Sequence, residues 1–176
     1  MIKEIAPNKT SLVYNAFDVV NYRDAFKIIS PKDTFKNIDD FANKYFTSQP
    51  NWLRLISMNT VSKEKMKENL KKSNFQINTK IGSWKIFNRN ENEIVFGESM
   101  GFMDYRFSMR LDKGITDDIE VSTVVTFNWK LGKYYFAIVK LMHKKFVLLS
   151  LDKVFKTWQN IGRKAKVYLW VKYLIG

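Results

Sequence analysis

The stretch from Asp117 to Phe155 constrains the fold more than any other part of the chain. Apolar and polar side chains alternate from Ile119 to Trp129, apart from Val124, and this period of two predicts a strand with one buried face. After a predicted turn at Leu131-Gly132, apolar residues recur at helical spacing, at Leu131, Tyr134, Tyr135, Ile138, Leu141, Met142, Leu148 and Leu149. This pattern predicts a helix about 37 Å long that crosses a small sheet with these residues facing inward.

Residues before this stretch predict a first strand and two short helices. Tyr22 to Ile29 alternates and ends at Ser30-Pro31, because proline cannot donate to a strand ladder. Asn37 to Phe46 predicts a helix with Asn37 as its N-cap. A second helix is expected to begin at Pro50, with Trp52, Leu53, Leu55 and Ile56 as its buried side chains. The charged residues from Val61 to Asn74 favour a frayed helix or a loop.

Three more strands are predicted, at Gly82 to Asn88, Glu93 to Glu98 and Met103 to Asp112. In the last of these, Arg106 and Ser108 fall on the polar face, which we expect to be solvated. No repeat or low-complexity segment interrupts the chain, so we expect an α+β fold in one domain. The predicted organisation is an N-terminal arm (1–20), a single domain (21–156) and a basic, aromatic C-terminal tail (157–176) that packs on the domain and is broken near Gly162.

Charge is unevenly distributed along the chain. Of the net charge of +13, the last 47 residues contribute +10, because they hold eleven Lys or Arg and one acid, Asp152. A one-sided basic surface attracts nucleic acid or anionic lipid, although a solvated lysine-rich face is the commoner explanation. The chain has no cysteine, which excludes disulfides and cysteine-ligated zinc. The first residues do not read as a signal peptide, so a cytoplasmic location is expected.

Several short runs carry a family resemblance: Trp52-Leu53-Arg54, Met103 to Ser108, Val121 to Val125, Asn128 to Tyr135, and Val139 to Lys144 around His143. They resemble a known bacterial family of unknown function, whose members occur alone or behind a short-chain-dehydrogenase-like domain. This family is similar to the START / polyketide cyclase / Bet v 1-like superfamily (SRPBCC). The resemblance covers about residues 22–155 and implies a helix-grip fold, in which a curved antiparallel sheet wraps around a long C-terminal helix and leaves a cavity between them. It carries over no catalytic residue.

The candidate ligand-binding residues are mostly aromatic side chains predicted to face inward, together with three titratable ones: Asp24, Trp84, Tyr105, Phe107, Phe127, Tyr135, His143 and Lys145. Trp129 and Tyr134 are also predicted inward. His143 is the single histidine and has no visible partner in the sequence, so an ordinary position at the border of the apolar face is favoured over a catalytic one. Lys145 interrupts the apolar stripe, and Asp24 lies on an apolar strand face, so the two could pair or both contact ligand.

Three functions remain open at this point. The first is a binding domain for a small hydrophobic molecule, without cofactor, metal or assigned catalytic residue. The second is a cyclase or isomerase that uses the same cavity and needs a polar group of shifted pKa there. The third is a peripheral membrane or nucleic-acid binder. Phe136, Val147 and Leu151 make the back of the helix partly apolar, which requires a second partner, either the tail or a membrane surface.

Overall fold

The computed structural model describes the backbone of residues 2–49 and 61–175, and their side chains as far as Lys156. The predicted second helix at Pro50, with Trp52, Leu53, Leu55 and Ile56, lies outside the described residues. Within the described part the chain forms an α+β fold of seven strands and three helices. The arrangement is a helix-grip fold, as the sequence resemblance implied.

All seven strands belong to one curved antiparallel sheet. Their bounds are β1 Lys3–Ile5, β2 Tyr22–Pro31, β3 Lys80–Ile81, β4 Trp84–Arg89, β5 Glu93–Ser99, β6 Met103–Lys113 and β7 Thr116–Phe127. Their order across the sheet is β1-β2-β7-β6-β5-β4-β3. The long strand β7 therefore lies inside the sheet, between β2 and β6, and all of β2 pairs with it, from Tyr22 opposite Val125 to Pro31 opposite Thr116.

The helices are α1 Ile38–Ser48, α2 Lys63–Ser73 and α3 Lys130–Ile175. The predicted cap of α1 is confirmed, since the side chain of Asn37 accepts a hydrogen bond from the backbone N–H of Asp40. Helix α2 corrects the expectation of a frayed helix or loop. Its few apolar side chains are compensated at both ends, where Ser62 caps the N-terminus and Asn74, in the left-handed conformation, donates its N–H to Leu70.

Helix α3 packs on the sheet with the face opposite to the one predicted. Phe136, Val147 and Leu151 are buried, whereas much of the stripe expected to be buried is 37 to 74% exposed, at Leu131, Tyr134, Ile138, Leu141, Met142, Leu148 and Leu149. Trp129 was also predicted inward and is exposed. Both sides of this helix are apolar, so helical periodicity alone does not select the side that faces the sheet.

The first turn of α3 is held against the loop that precedes β6. The backbone N–H groups of Asn128 and Trp129 both donate to the carbonyl oxygen of Phe102, at 3.1 and 3.2 Å. A Cβ atom on Gly132 would lie 2.4 Å from the same carbonyl oxygen. The helix therefore starts at Lys130, slightly before the predicted turn at Leu131-Gly132, and glycine is required inside its first turn.

The N-terminal segment covers the face of the sheet opposite to α3. Val13 packs there against Val124, and both are buried. The guanidinium of Arg106 lies 3.4 Å from the ring centroid of Phe87. Arg106 and Ser108 are buried as a result, so the expectation of a solvated face on β6 is wrong. Side-chain alternation identified the face correctly, but it did not show that residues far away in the chain would cover it.

The backbone of α3 continues as helix through Ile175, so the predicted break near Gly162 is absent. The side chains of residues 157–175 lie outside the described part, and the packing of the tail on the domain stays a prediction. At 1.5 Å per residue the helix is about 69 Å long, nearly twice the expected length.

Candidate functional site

A cavity of about 220 Å³ lies between the sheet and the first half of α3. Strands β6 and β7 supply its floor, because alternate residues of each strand point to the helix side. Helix α3 supplies the roof, with side chains spaced three or four residues apart. The lining residues are Tyr45, Trp84, Glu98, Met100, Met103, Tyr105, Phe107, Val121, Thr123, Val125, Tyr135, Phe136, Val139, Met142, His143, Phe146 and Val147.

The space beside this cavity is filled by aromatic rings. Phe46 of α1 packs on Trp84 and on Phe96, with ring centroids 5.4 and 5.3 Å apart. Phe107 packs on the same two partners. These contacts fix Trp84 and Phe107, so that each ring is part of the core and also part of the cavity wall. The cavity is therefore an extension of an ordered core.

One polar cluster faces the cavity from strands β4, β5 and β6. The indole N–H of Trp84 donates to the hydroxyl oxygen of Tyr105 at 2.8 Å. The Tyr105 O–H in turn donates to Oε2 of Glu98 at 3.2 Å. Burial raises the pKa of Tyr105 above its ordinary value, and the negative charge of Glu98 raises it further. Tyr105 therefore remains a protonated phenol that links the indole to the carboxylate.

A second polar cluster joins α3 to β2. Nε2 of His143 lies 3.2 Å from Oδ2 of Asp24, whose side chain is only 2% exposed. Tyr22 donates its O–H to the same carboxylate oxygen at 2.7 Å. Burial, followed by the hydrogen bond to Asp24 and its charge, raises the pKa of Tyr22. Because a carboxylate only accepts, Nε2 of His143 carries a proton and donates it to Asp24.

Of the eight candidate residues, five line the cavity: Trp84, Tyr105, Phe107, Tyr135 and His143. Asp24 does not line it and instead holds His143 from behind. Phe127 is outside the lining and packs on Phe136, with ring centroids 5.7 Å apart. These placements are geometric, and ligand binding by these residues is a proposal.

The suggested pairing of Asp24 with Lys145 is wrong, because Lys145 is exposed and His143 occupies the position beside Asp24. Two residues correspond to about 200° around a helix. Because the buried face of α3 is opposite to the predicted one, Lys145 lies away from the cavity and His143 forms part of its wall. The partner of His143 was missed because Asp24 lies 119 residues away in sequence.

Glu98 and Met142 line the cavity but were not among the candidate ligand-binding residues. Glu98 shares a strand face with Phe96, and this alternation was a usable signal for an acid on the inner face. Met142 was counted as buried but is 48% exposed, and it also lines the cavity. The cavity therefore reaches the surface of the protein beside Met142.

Within residues 2–49 and 61–175, helices that are both long enough and apolar enough to cross a membrane are absent. Clusters of three or more histidine or acidic side chains suited to a metal ion are also absent from the described side chains.

The fold and its cavity define this protein as a helix-grip domain with a partly open, mostly apolar pocket. The chain belongs to the family described as "Protein of unknown function (DUF2867)", whose model matches residues 16–148. The match includes every residue that lines the cavity. Searches of the curated proteins and of the solved structures found no match.

Proposed function

We propose that the protein binds a small, largely apolar molecule in the cavity between the sheet and α3. The observation that carries this proposal is the cavity itself, which is walled mainly by apolar and aromatic side chains and bordered by two polar clusters. Small-molecule sites commonly combine apolar walls with a few polar groups that fix orientation. Burial of apolar ligand surface would supply most of the affinity, at about 25 cal/mol per Å².

The size of the cavity limits the ligand. An engineered cavity of about 150 Å³ takes up benzene. By that comparison, a volume of about 220 Å³ suits a molecule of roughly ten non-hydrogen atoms. A larger ligand would have to extend past Met142 towards the surface.

The resemblance to the START / polyketide cyclase / Bet v 1-like superfamily supports the same proposal, because it implies a cavity between the sheet and the long helix. The relationship of this chain to that superfamily is part of the proposal. So is its relationship to proteins that carry a short-chain-dehydrogenase-like domain. We prefer a binding domain to a cyclase or isomerase. The polar groups at the cavity can orient a bound ligand, and this role requires no catalysed reaction.

A cavity-filling pair of variants tests the proposal. Val139→Phe places a larger apolar side chain in the cavity wall, whereas Ala137→Phe places the same side chain on the exposed side of α3. The probe is 3-phenylpropan-1-ol, a neutral molecule of suitable size, titrated by isothermal calorimetry. Binding to the wild type and to Ala137→Phe, with at least a tenfold loss in Val139→Phe, is the expected result.

Two calorimetric results would contradict the proposal. Equal affinity in both variants would place the probe outside the cavity and overturn the proposal. Absence of binding to the wild type would also overturn it. Circular dichroism of both variants confirms that a loss of binding does not reflect unfolding.

The exposed stripe of α3 favours a second function, attachment to an anionic lipid surface. Apolar side chains extend along one side of the helix from Leu131 to Leu149, and Lys145 lies among them. Lys133 and Lys140 follow one flank, together with Lys144, which is paired with Glu4. Lysines beside an apolar helix face complement anionic headgroups, whereas the like charges of a second copy of this chain would repel each other.

Co-sedimentation with vesicles tests this second function. We expect binding to phosphatidylcholine vesicles that contain phosphatidylserine, weaker binding to phosphatidylcholine alone, and loss of binding in Leu141→Asp. Ile115→Asp adds the same charge to an exposed apolar residue in the turn between β6 and β7, and it is expected to bind nearly as well as the wild type. Lack of binding at low salt would refute membrane attachment. A concentration-dependent dimer disrupted by Leu141→Asp would assign the stripe to a second copy instead.

A further inference from the structure

The cavity has a local charge opposite to that of the whole protein. The chain carries a net charge of +13, yet Glu98 is the only Asp, Glu, Lys or Arg among the described residues that line the cavity. An anionic ligand would have to lie beside Glu98 without a lysine or arginine to neutralise it. Such an uncompensated charge in a partly buried site is unfavourable.

The charged group of the site, Glu98, is a hydrogen-bond acceptor, and the hydroxyl groups of Thr123 and Tyr135 also belong to the polar lining. The Tyr105 O–H is already used as a donor to Glu98, and it accepts from Trp84. A carboxylate offers about four acceptor positions, and the bond from Tyr105 uses one of them. On the other side of β7, Nε2 of His143 donates to Asp24, so this nitrogen is already used within the protein.

Protonation of His143 does not reverse this charge balance. The imidazole faces Asp24, and the described groups within hydrogen-bonding distance of that carboxylate are Tyr22 and His143. A charged imidazole and Asp24 would neutralise each other and leave Glu98 uncompensated. A neutral imidazole leaves two carboxylates. In either state the site carries net negative charge, because Glu98 stays uncompensated.

We infer that the cavity selects apolar molecules that carry a cationic amine, with the ammonium group bound by Glu98. This inference rests on the proposed function and adds the chemical class of the ligand. The ammonium group donates to the Glu98 carboxylate, and the apolar part of the molecule lies among Phe107, Val121 and Val147. Fatty acids and other anionic amphiphiles are excluded by the same carboxylate.

Three matched probes test the inference: 3-phenylpropylamine, 3-phenylpropan-1-ol and 3-phenylpropionate. They share an aryl chain and are cationic, neutral and anionic near pH 7. We expect the amine to bind about tenfold more tightly than the alcohol, which is the factor that one charge-assisted hydrogen bond typically provides. The propionate is expected to bind more weakly than the alcohol. The overall positive charge of the protein acts against this order, so non-specific attraction cannot produce it.

The Glu98→Gln variant identifies the residue responsible. It is expected to bind the amine and the alcohol with similar affinity. Glu91→Gln removes the same charge from the exposed hairpin turn and is expected to keep the tenfold preference. Alcohol binding without an amine preference would overturn the inference and leave the proposed function standing. Tightest binding of the propionate would overturn the inference as well. Failure of all three probes to bind would overturn both.

Discussion

His143 on α3 donates to the buried carboxylate of Asp24 on β2, with Nε2 3.2 Å from Oδ2. The contact joins the long helix to the second strand from one edge of the sheet, across 119 residues of sequence. Tyr22 donates to the same carboxylate. The group of three therefore both fixes the helix over the cavity and sets the orientation of the one histidine that faces it.

Asp24→Ala is expected to destabilise the protein by about 1–3 kcal/mol, because it leaves the partly buried donors on His143 and Tyr22 without their acceptor. Urea denaturation measures the change. Asp18→Ala removes an exposed carboxylate from the N-terminal segment and is expected to change stability by less than about 0.5 kcal/mol. Similar effects of the two substitutions would show that the contact contributes little to the fold.

The orientation of α3 predicts unequal effects for two leucines of the same helix. Leu151 is fully buried, whereas Leu141 is 74% exposed. Leu151→Ala is expected to lower the free energy of unfolding by about 2–5 kcal/mol, and Leu141→Ala by less than about 0.5 kcal/mol. The opposite ranking in denaturation experiments would indicate that the helix face favoured by the sequence pattern is the buried one.

The sequence predicted the elements of this fold better than their contacts. The alternation from Met103 to Asp112 and the cap at Asn37 are local patterns, and the structure confirms them. Helix α3 has two apolar sides, and the choice between them depends on distant contacts at Phe102 and Asp24. The sequence pattern favoured the wrong side of the helix, and it therefore predicted Lys145 at the cavity, where the structure has His143. The cavity itself is a property of packing, which no local pattern reports.

Gly132→Ala is expected to destabilise the protein by about 1–3 kcal/mol, because the added methyl group would overlap the carbonyl of Phe102. Gly114→Ala is the matched control. A Cβ there would lie 3.7 Å from the carbonyl of Thr116, an ordinary contact distance. Thermal unfolding of both variants gives the comparison, and equal melting temperatures would contradict the close approach of α3 to the loop before β6.

The raised pKa of Tyr105 predicts a loss of stability in alkaline solution. Burial and Glu98 keep this phenol protonated in the folded state, whereas in the unfolded chain it ionises near pH 10. Its contribution to stability is complete below about pH 10 and is lost as the pH rises towards the folded pKa. Urea denaturation from about pH 8 to 11 is expected to show a smaller decline in Tyr105→Phe than in the wild type. Identical declines would contradict the shift.

The most direct test of the central claim is an NMR measurement of where a neutral apolar probe binds. Intermolecular nuclear Overhauser effects between the aryl protons of 3-phenylpropan-1-ol and the methyl groups of Val121, Val125 and Val147 would place the probe in the cavity. The account predicts these contacts together with a shift of the Trp84 indole N–H resonance, since that group borders the cavity. Contacts confined to Leu141 and Leu149 on the exposed stripe, with no change at Trp84, would contradict it.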